Sequence, residues 1–252
     1  MVSRGLANSR QHAQDLIADH RVTVGGAPVT KATRQVAKSD PILVSGPPPR
    51  FVGRGGLKLE GALNTFGIDP TDRHCLDAGS STGGFTDCLL QSGAASVVAV
   101  DVGTHQLHEK LRNHPAVVVM ENSDIRSIVP DTFSTDPLRQ NGFGVIVADL
   151  SFISTTSLLS VLAPLIAPGG DLIVLVKPQF EAGHREVSKG NGIIKDPAIW
   201  TRVLHEFIDG AVEAGLIVND LAISPITGGR SKHGGNVEFL AHLHLPDVDP
   251  QY

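Results

Sequence analysis

The stretch Asp77-Ala78-Gly79-Ser80-Ser81-Thr82-Gly83-Gly84-Phe85 is the most informative part of this chain. It follows a short apolar run over residues 74–76 and precedes a helical pattern over residues 86–91. A strand, a turn of small residues and a helix, in that order, bring the backbone close to a nucleotide-like ligand. We therefore predict a ligand-binding turn here, and the alternative is a glycine-rich turn that binds nothing.

The spacing of the glycines separates two classes of ligand. A dinucleotide fingerprint requires Gly-x-Gly-x-x-Gly, whereas Gly79 is followed by Gly83 and Gly84. The carboxylate of Asp77 would repel a pyrophosphate but suits a cationic or hydrogen-bond-donating group. The form Asp-x-Gly-x-x-x-Gly resembles the first motif of S-adenosylmethionine-dependent methyltransferases, and this resemblance implies S-adenosyl-L-methionine as the cofactor.

The composition limits the class of protein. Of 252 residues, 41% are hydrophobic and 4% aromatic, so a large α/β domain with a small additional module is possible, whereas an aromatic platform for single-stranded nucleic acid is not obvious. Neither a signal peptide nor a run of about 20 apolar residues is visible. We expect a cytoplasmic protein without a membrane span, in which Cys75 and Cys88 are buried, reduced thiols.

The charge is unevenly distributed along the chain. Residues 1–60 carry nine Lys or Arg and four Asp or Glu, whereas residues 61–252 carry 12 and 22. A basic arm on an acidic body predicts a polyanionic partner that binds at one end. The alternative is an ordinary solvated basic surface.

The basic arm predicts a small α+β module over residues 1–46. Ser9 can cap a helix over residues 10–19, in which Ala13, Leu16 and Ile17 have helical spacing. Short strands are predicted at residues 22–24, 27–29 and 42–44. The proline-rich segment 47–52 then predicts a semi-rigid linker to a second domain at residues 53–252.

The pattern of this module is similar to that of a known domain. Gly5-Leu6-Ala7-x-Ser9-Arg10-x-x-Ala13-x-x-Leu16-Ile17, followed by Val22-x-Val24-x-Gly26, resembles the S-four-like RNA-binding domain. The resemblance implies that the helix and the following hairpin form a basic surface that binds RNA. The family usually has a further helical segment before this point, so part of its first helix is expected to be missing. The implied RNA-binding residues are Arg4, Arg10, Arg21 and Lys31.

The second domain alternates strand and helix patterns. Near-continuous apolar strands in such an alternation predict a parallel, doubly wound, Rossmann-like sheet of about seven strands, covered on both faces. The strands are predicted at residues 74–76, 96–100, 116–119, 145–148, 172–176, 216–223 and 238–244. The helices are predicted at residues 57–66, 86–91, 155–166 and 198–214.

Five of these strands are followed by a charged residue. In an open α/β sheet, ligands bind outside the carboxyl ends of the strands, so we expect these side chains to share one site. Asp101 has the position in which an acidic residue can hold ribose hydroxyls. The five residues are Asp77, Asp101, Asp124, Asp149 and Lys177.

Lys177 allows two chemical roles and one structural alternative. As a neutral amine it could take the proton from a hydroxyl, and as an ammonium it could orient that hydroxyl. The structural alternative is a salt-bridged lysine that closes the strand.

Several blocks of sequence resemble one family closely. They are Arg54-Gly55-Gly56-x-Lys58-Leu59, Asp77 to Thr86, Asp149-Leu150-Ser151-Phe152, Lys177-Pro178-Gln179-Phe180-Glu181 and Gly235-Asn236-x-Glu238-Phe239. These blocks identify the chain as similar to the TlyA family, also called hemolysin A, within the FtsJ-like ribose methyltransferases. Gly53 stands where the family usually has serine, and Phe51 stands where some members have tryptophan.

The resemblance implies 2′-O-methylation of cytidines in ribosomal RNA without a metal. The target nucleotide is expected to flip out of its helix. Asp77 would contact the methionine or amino end of the cofactor, Asp101 its ribose and Asp124 its adenine amine. The implied catalytic set is Lys58, Asp149, Lys177 and Glu238, and the remaining cofactor-binding residues are Gly79, Ser81, Gly83 and Phe85.

Two other classes of function compete with this hypothesis. The older family name suggests a membrane-active hemolysin or cytolysin, which a liposome leakage assay would detect. The other alternative is a non-catalytic rRNA-binding protein that keeps a relic cofactor fold, although the intact catalytic set argues against it. Mapping of 2′-O-methyl groups on rRNA with and without the protein would separate these alternatives.

Overall fold

The computed structural model describes residues 1–7, 10–47, 49–136, 139–151, 153–231 and 234–246. The chain divides into two compact units, Met1–Gly53 and Arg54–Tyr252. The predicted linker over residues 47–52 lies at the end of the first unit. Ser9, the predicted helix cap, and Pro48 of the linker lie outside the described residues.

The first unit is a small α+β fold around its own apolar core. It contains a 3-10 turn at Val2–Arg4, helix α1 (Arg10–Ala18) and strands β1 (Val22–Val24), β2 (Ala27–Pro28) and β3 (Ile42–Val44). The strands form an antiparallel sheet in the order β2-β1-β3. Alternate residues of β1 face inward, as expected for a half-buried strand. The buried apolar residues are Ala7, Leu16, Ile17, Val22, Val24 and Val29.

The second unit contains a seven-stranded mixed sheet with helices between its strands. The helices are α2 (Gly55–Phe66), α3 (Gly84–Gln91), α4 (Glu109–Arg112), α5 (Leu159–Leu162), α6 (Pro178–Glu181), α7 (His184–Lys189) and α8 (Pro197–Glu213). The strands are β4 (His74–Ala78), β5 (Ser96–Val100), β6 (Val117–Met120), β7 (Phe143–Ala148), β8 (Ile166–Val176), β9 (Ile217–Ile223) and β12 (Phe239–His244), with a separate hairpin of β10 (Gly228–Ser231) and β11 (Gly234–Asn236).

The order of the strands is β6-β5-β4-β7-β8-β12-β9. The central strands β4, β5, β7 and β8 pair in parallel, and their apolar residues are almost completely buried on both faces. The doubly wound sheet of about seven strands is thus confirmed. Cys75 and Cys88 are both buried, as expected.

The expectation of a wholly parallel sheet is wrong at β12. This strand runs antiparallel to both β8 and β9. An apolar strand that is buried on both faces has the same composition in either direction, so the pattern could not reveal this reversal. The reversal has a functional consequence, because Phe239 at the start of β12 pairs with Val176 at the end of β8. Glu238 and Lys177 therefore lie at the same edge of the sheet.

The prediction of one helix over residues 155–166 is also wrong. The segment consists of a 3-10 turn at Thr156–Leu158, the short helix α5 and a second 3-10 turn at Ala163–Leu165, and β8 already begins at Ile166. Pro164 lacks the backbone N–H that would continue an α-helix, which accounts for the early end of α5.

Candidate active site

The glycine turn after β4 is closely packed, and two of its glycines have positive φ. Gly79 has φ 85° and Gly83 has φ 95°, values that favour glycine. A Cβ at Gly79 would lie 2.9 Å from the carbonyl oxygen of Asp149, and a Cβ at Gly83 would overlap the side chain of Leu111. The turn therefore cannot carry larger residues at these two positions without moving.

Asp77 lies behind this turn rather than on a cavity wall. Its carboxylate is fully buried, and Oδ2 accepts a 2.6 Å hydrogen bond from Oγ1 of Thr86. Oδ1 has no hydrogen-bond partner among the described residues. Burial raises the pKa of Asp77 to about 7, despite the hydrogen bond from Thr86. The structure thus places Asp77 where it holds the start of α3, and the contact with the cofactor stays a prediction.

The predicted ribose ligand, Asp101, holds the turn from the end of β5. Its carboxylate accepts hydrogen bonds from the backbone N–H of Ser81 at 2.8 Å and of Gly103 at 2.7 Å. An ionised carboxylate has about four acceptor sites, so two remain for further donors. Asp101 is therefore both part of the scaffold and able to accept from a ligand.

Asp124 is bonded to its neighbour Arg126. The guanidinium donates to both carboxylate oxygens, with Nε at 3.0 Å from each. Hydrogen bonds from the Arg126 side chain and backbone lower the pKa of Asp124 to about 2. A ligand amine at Asp124 would have to share the carboxylate with this guanidinium.

The ends of β4, β5 and β7 enclose a cavity of about 600 Å³. This volume lies within the range of small-molecule sites, and the wall combines carboxylates with aliphatic side chains. Its lining includes Gly79, Ser81, Asp101, Val102, Asp124, Ile125, Asp149, Ser151, Ile153 and Leu158. We call it the cofactor-side cavity, because Asp101 and Asp124, which are predicted to bind the cofactor, both line it.

Glu121 was not predicted as a site residue, yet it fixes the loop beside this cavity. Its carboxylate accepts the backbone N–H of His105 at 2.7 Å, Gln106 at 3.0 Å and Leu107 at 3.1 Å. Although burial opposes it, these bonds and one from Arg112 lower the pKa of Glu121 to about 2. The sequence could have indicated Glu121, because it directly follows β6 in the same segment as Asp124.

A second cavity, of about 520 Å³, contains the four predicted catalytic side chains together. Phe85, predicted to contact the cofactor, lines this cavity instead of the first. Gly83 is not on either wall and packs against Leu107 and Leu111. The lining includes Gly55, Lys58, Gly79, Ser81, Phe85, Asp149, Ser151, Lys177, Gln179, Phe180, Asn236 and Glu238. We call it the acceptor-side cavity.

The four charged groups form one chain of ion pairs. Lys177 Nζ lies 2.5 Å from Asp149 Oδ1, and Lys58 Nζ lies 3.6 Å from Asp149 Oδ2. Lys58 Nζ also lies 2.6 Å from Oε2 of Glu238. Although burial opposes it, the charges of Lys177 and Lys58 hold the pKa of Asp149 below its ordinary value. Asp149 is therefore ionised at neutral pH.

Lys177 is almost fully buried and makes two further hydrogen bonds. Nζ donates to the carbonyl oxygen of Leu150 at 2.7 Å and lies 3.0 Å from Oγ of Ser151. The carboxylate of Asp149 and the carbonyl can only accept, whereas a hydroxyl can accept from an ammonium or donate to a neutral amine. On the side of Nζ that faces Ser151, a hydroxyl can therefore form a hydrogen bond with Lys177 either as an ammonium or as a neutral amine.

Sequence reasoning missed three residues that complete this cavity. Gln179 donates from Nε2 to Glu238 Oε1 at 3.1 Å, and Asn236 bonds to Ile194 N at 2.9 Å and to Gly192 O at 2.9 Å. Both belong to blocks that carried the family resemblance. Ser151 belongs to the same blocks, and it lines both cavities together with Gly79, Ser81 and Asp149.

The four predicted RNA-binding residues of the first unit fall into two groups. Arg4 donates to the carbonyl oxygens of Asp40 and Ala37, both at 2.7 Å, and Arg21 donates to those of Ser45 and Pro47. These two guanidinium groups brace the backbone of their own unit. Arg10 and Lys31 are exposed. Contact of all four with RNA stays a prediction.

Within the described residues, none of the helices has both the length and the apolar character needed to cross a bilayer.

The chain is similar in sequence and in structure to several known proteins. The FtsJ-like methyltransferase family matches residues 51–242, and the S4 domain matches residues 1–42. The 16S/23S rRNA (cytidine-2′-O)-methyltransferase TlyA of Mycobacterium tuberculosis is 41% identical, over 96% of this chain and 87% of its own. Hemolysin A of Brachyspira hyodysenteriae is 40% identical, over 96% of each chain. A solved structure, "Putative hemolysin from Streptococcus thermophilus", has a TM-score of 0.76 and 40% identity, over 97% of this chain and 86% of that one.

Proposed function

This chain belongs to the FtsJ-like methyltransferase family, and from that premise we propose that it transfers a methyl group from S-adenosylmethionine to the ribose 2′-hydroxyl of cytidines in ribosomal RNA. The observation that carries the proposal is the meeting of the two cavities at Asp149, which lines both. Methyl transfer requires the donor and the acceptor to be held close together and in line, on opposite sides of the methyl group.

The residues of the cofactor-side cavity fit S-adenosylmethionine. Gly79 lines this cavity with backbone atoms alone, and Asp101 keeps acceptor capacity for ribose hydroxyls. Asp124 would accept from the adenine amine, beside the aliphatic wall of Ile125, Ile153 and Leu158. When bound, S-adenosylmethionine supplies a sulfonium methyl that needs no further activation.

Lys177 would hold the acceptor hydroxyl. Its bonds to Asp149, Leu150 and Ser151 fix Nζ, so a ribose 2′-hydroxyl that approaches Nζ beside Ser151 is held at a defined point. An ammonium there orients the oxygen, and a neutral amine accepts its proton. Because the methyl group is already activated, alignment of this oxygen supplies much of the catalysis.

Lys58 and Glu238 would act through Asp149. Nζ of Lys58 lies between the carboxylates of Glu238 and Asp149. We therefore assign it the task of fixing the carboxylate that in turn fixes Lys177. Glu238 holds Lys58 from the start of β12, with Gln179 bonded to its other oxygen.

The burial of the site bears on the form of the substrate. Lys177 is 4% exposed, so a ribose inside a duplex would be too far from Nζ. A flipped-out nucleotide could enter the acceptor-side cavity, at the usual cost of a few kcal/mol for unstacking. The basic first unit would contribute phosphate contacts that position the RNA. Such an enzyme works where ribosomal RNA is, and we place it in the cytoplasm.

The direct test is transfer of labelled methyl groups by the purified protein. Ribosomal subunits, free ribosomal RNA and DNA are incubated with methyl-labelled S-adenosylmethionine and either the wild type or Asp149→Asn. We expect label in ribosomal RNA, none in DNA and a large loss with the variant. Binding of ribosomal RNA without transfer would support the non-catalytic alternative, and release of dye from liposomes without transfer would support the hemolysin alternative.

A further inference from the structure

Glu181 lies outside both cavity walls as described, yet it accepts three hydrogen bonds from one neighbouring loop. Its carboxylate accepts from Oγ of Ser154 at 2.6 Å and from the backbone N–H of Thr155 at 2.6 Å. The third bond comes from Oγ1 of Thr156 at 3.2 Å. All three donors follow β7, in the loop that also carries Ser151.

The same short helix holds this loop at its other end. Lys177 is the N-cap of α6 and Glu181 is its last residue, so the two lie about one helical turn apart. Lys177 bonds to Leu150 and Ser151, whereas Glu181 bonds to residues 154–156. Residues 150–151 and residues 154–156 are thus held by side chains from the two ends of one short helix.

The bonds of Glu181 also set the conformation of the loop. Thr155 is 1% exposed, and its Oγ1 donates to the carbonyl oxygen of Leu175 in β8 at 3.3 Å. Ser154 Oγ accepts from the backbone N–H of Ser157 at 3.3 Å, at the start of the following 3-10 turn. Without the carboxylate, the buried N–H of Thr155 would lose its partner, and this loss favours a different loop conformation.

We propose that Glu181 is a positioning residue for the methyl acceptor: it fixes residues 154–156 and thereby keeps Ser151 at the junction of the two cavities, beside Nζ of Lys177. This inference rests on the proposed function, because the acceptor is the ribose hydroxyl. Glu181 acts through the loop and touches neither substrate nor cofactor.

The test compares Glu181→Ala with Glu181→Gln, and uses Glu206→Ala on the exposed face of α8 as the matched control. The amide oxygen of Gln can still accept from Thr155, whereas Ala cannot. We expect Glu181→Ala to lower kcat about 10–100-fold, the scale of a displacement of about 1 Å near the chemistry. Glu181→Gln should keep kcat within about threefold, and Glu206→Ala should be unchanged. The Kd for S-adenosylmethionine should rise by less than kcat falls, because the loop supplies Ser151 and Ile153 to that cavity, whereas Asp101 and Asp124 follow other strands.

A double-mutant cycle with Ser151→Ala, measured by kcat, tests whether Glu181 acts on the reaction through Ser151 or only stabilises the fold. If Glu181 acts through Ser151, the double variant should lose little more than the larger single loss. Additive losses, or equal losses of kcat in Glu181→Ala and Glu181→Gln, would overturn the proposal. So would a variant that loses thermal stability and cofactor affinity while kcat per folded molecule is unchanged.

Amide hydrogen exchange separates failure of this inference from failure of the proposed function. If the wild type transfers no methyl group to ribosomal RNA, the proposed function is wrong, whatever Glu181 does. The amide of Thr155 should still exchange at least tenfold faster in Glu181→Ala than in Glu181→Gln. Equal exchange in the two variants would show that the carboxylate does not hold the loop, and would overturn the inference independently of activity.

Discussion

Nζ of Lys177 lies 2.5 Å from Oδ1 of Asp149, at the ends of the adjacent parallel strands β8 and β7. This ion pair stands at the point where the two cavities meet, and Lys58 and Glu238 continue it on the other side. The arrangement places a fixed amine and a fixed carboxylate at the boundary between the two cavities.

Loss of Lys177 should abolish transfer but not cofactor binding. Lys177→Ala removes the group that holds the acceptor oxygen, and we expect single-turnover transfer to ribosomal RNA to fall about 10²–10⁴-fold. Lys110→Ala is a suitable control, because that lysine is exposed and 3.5 Å from its partner Asp87. Near wild-type transfer by Lys177→Ala would remove Lys177 from the mechanism.

Loss of Lys58 should destabilise the fold as well as the reaction. Glu238 is 3% exposed, so Lys58→Met leaves a buried carboxylate without its charge partner. Removal of one partner from a buried ion pair typically costs about 3–5 kcal/mol. The double variant Lys58→Met/Glu238→Gln should recover part of the thermal stability but none of the activity. If calorimetry found the single and double variants equally stable, the pairing would not matter for folding.

Asp77 should make stability depend on pH. Its folded pKa is raised from 3.8 to about 7, so the folded protein binds more protons than the unfolded chain within that window. The contribution of Asp77 to the free energy of unfolding therefore falls as pH rises from about 4 to 7, and it is fully lost above pH 7. Asp77→Asn removes the titration, so its stability relative to wild type should rise between pH 5 and 8 in denaturant titrations. If the stability of Asp77→Asn relative to wild type did not change with pH, the burial of this carboxyl would not control its titration.

Gly83 and Gly67 form a matched pair of glycines. Both have positive φ, but a Cβ at Gly67 would meet open space, whereas one at Gly83 would overlap Leu111. Alanine should therefore cost about 1–2 kcal/mol at Gly67 for the backbone alone, and more at Gly83. Isothermal titration should find weaker S-adenosylmethionine binding in Gly83→Ala only. Equal effects of the two substitutions on cofactor binding would show that the packing of the turn is not important.

The exposed basic residues of the first unit should govern RNA affinity. Arg10→Ala and Lys31→Ala should each weaken rRNA binding and reduce the slope of log K against log salt by about one if the side chain contacts a phosphate. Cofactor affinity should be unchanged. Arg4→Ala should instead lower thermal stability, since its guanidinium braces the carbonyls of Ala37 and Asp40. An unchanged salt slope would exclude Arg10 and Lys31 from the RNA interface.

Much of the site could be predicted because the carboxyl ends of parallel strands meet at one edge. That rule brought Asp101, Asp149 and Lys177 together from the sequence alone. It could not bring in Glu238, which precedes an antiparallel strand and became a candidate only through the family resemblance. Periodicity does not report strand direction, so this part of the catalytic set was not derivable from the pattern.

The roles of other residues could not be predicted, because they depend on tertiary packing that a sequence pattern does not show. Asp77 ends a strand like Asp101, but the turn closes over it and buries it completely. Arg4 and Arg21 contribute to the basic charge of the first unit, yet their guanidinium groups bind backbone carbonyls of that unit. The type and position of a charged residue can be read from a sequence, whereas its partner is decided by the fold.

Alkaline hydrolysis of the labelled product shows whether the methyl group has been transferred to a ribose hydroxyl. Alkali cleaves RNA through the 2′-hydroxyl, so a 2′-O-methyl group leaves an uncut dinucleotide. After transfer by the wild-type protein, we predict that the label appears in alkali-resistant dinucleotides whose first residue is cytidine. Label in mononucleotides would instead indicate methylation of a base, and would contradict the role assigned to Lys177 and Asp149.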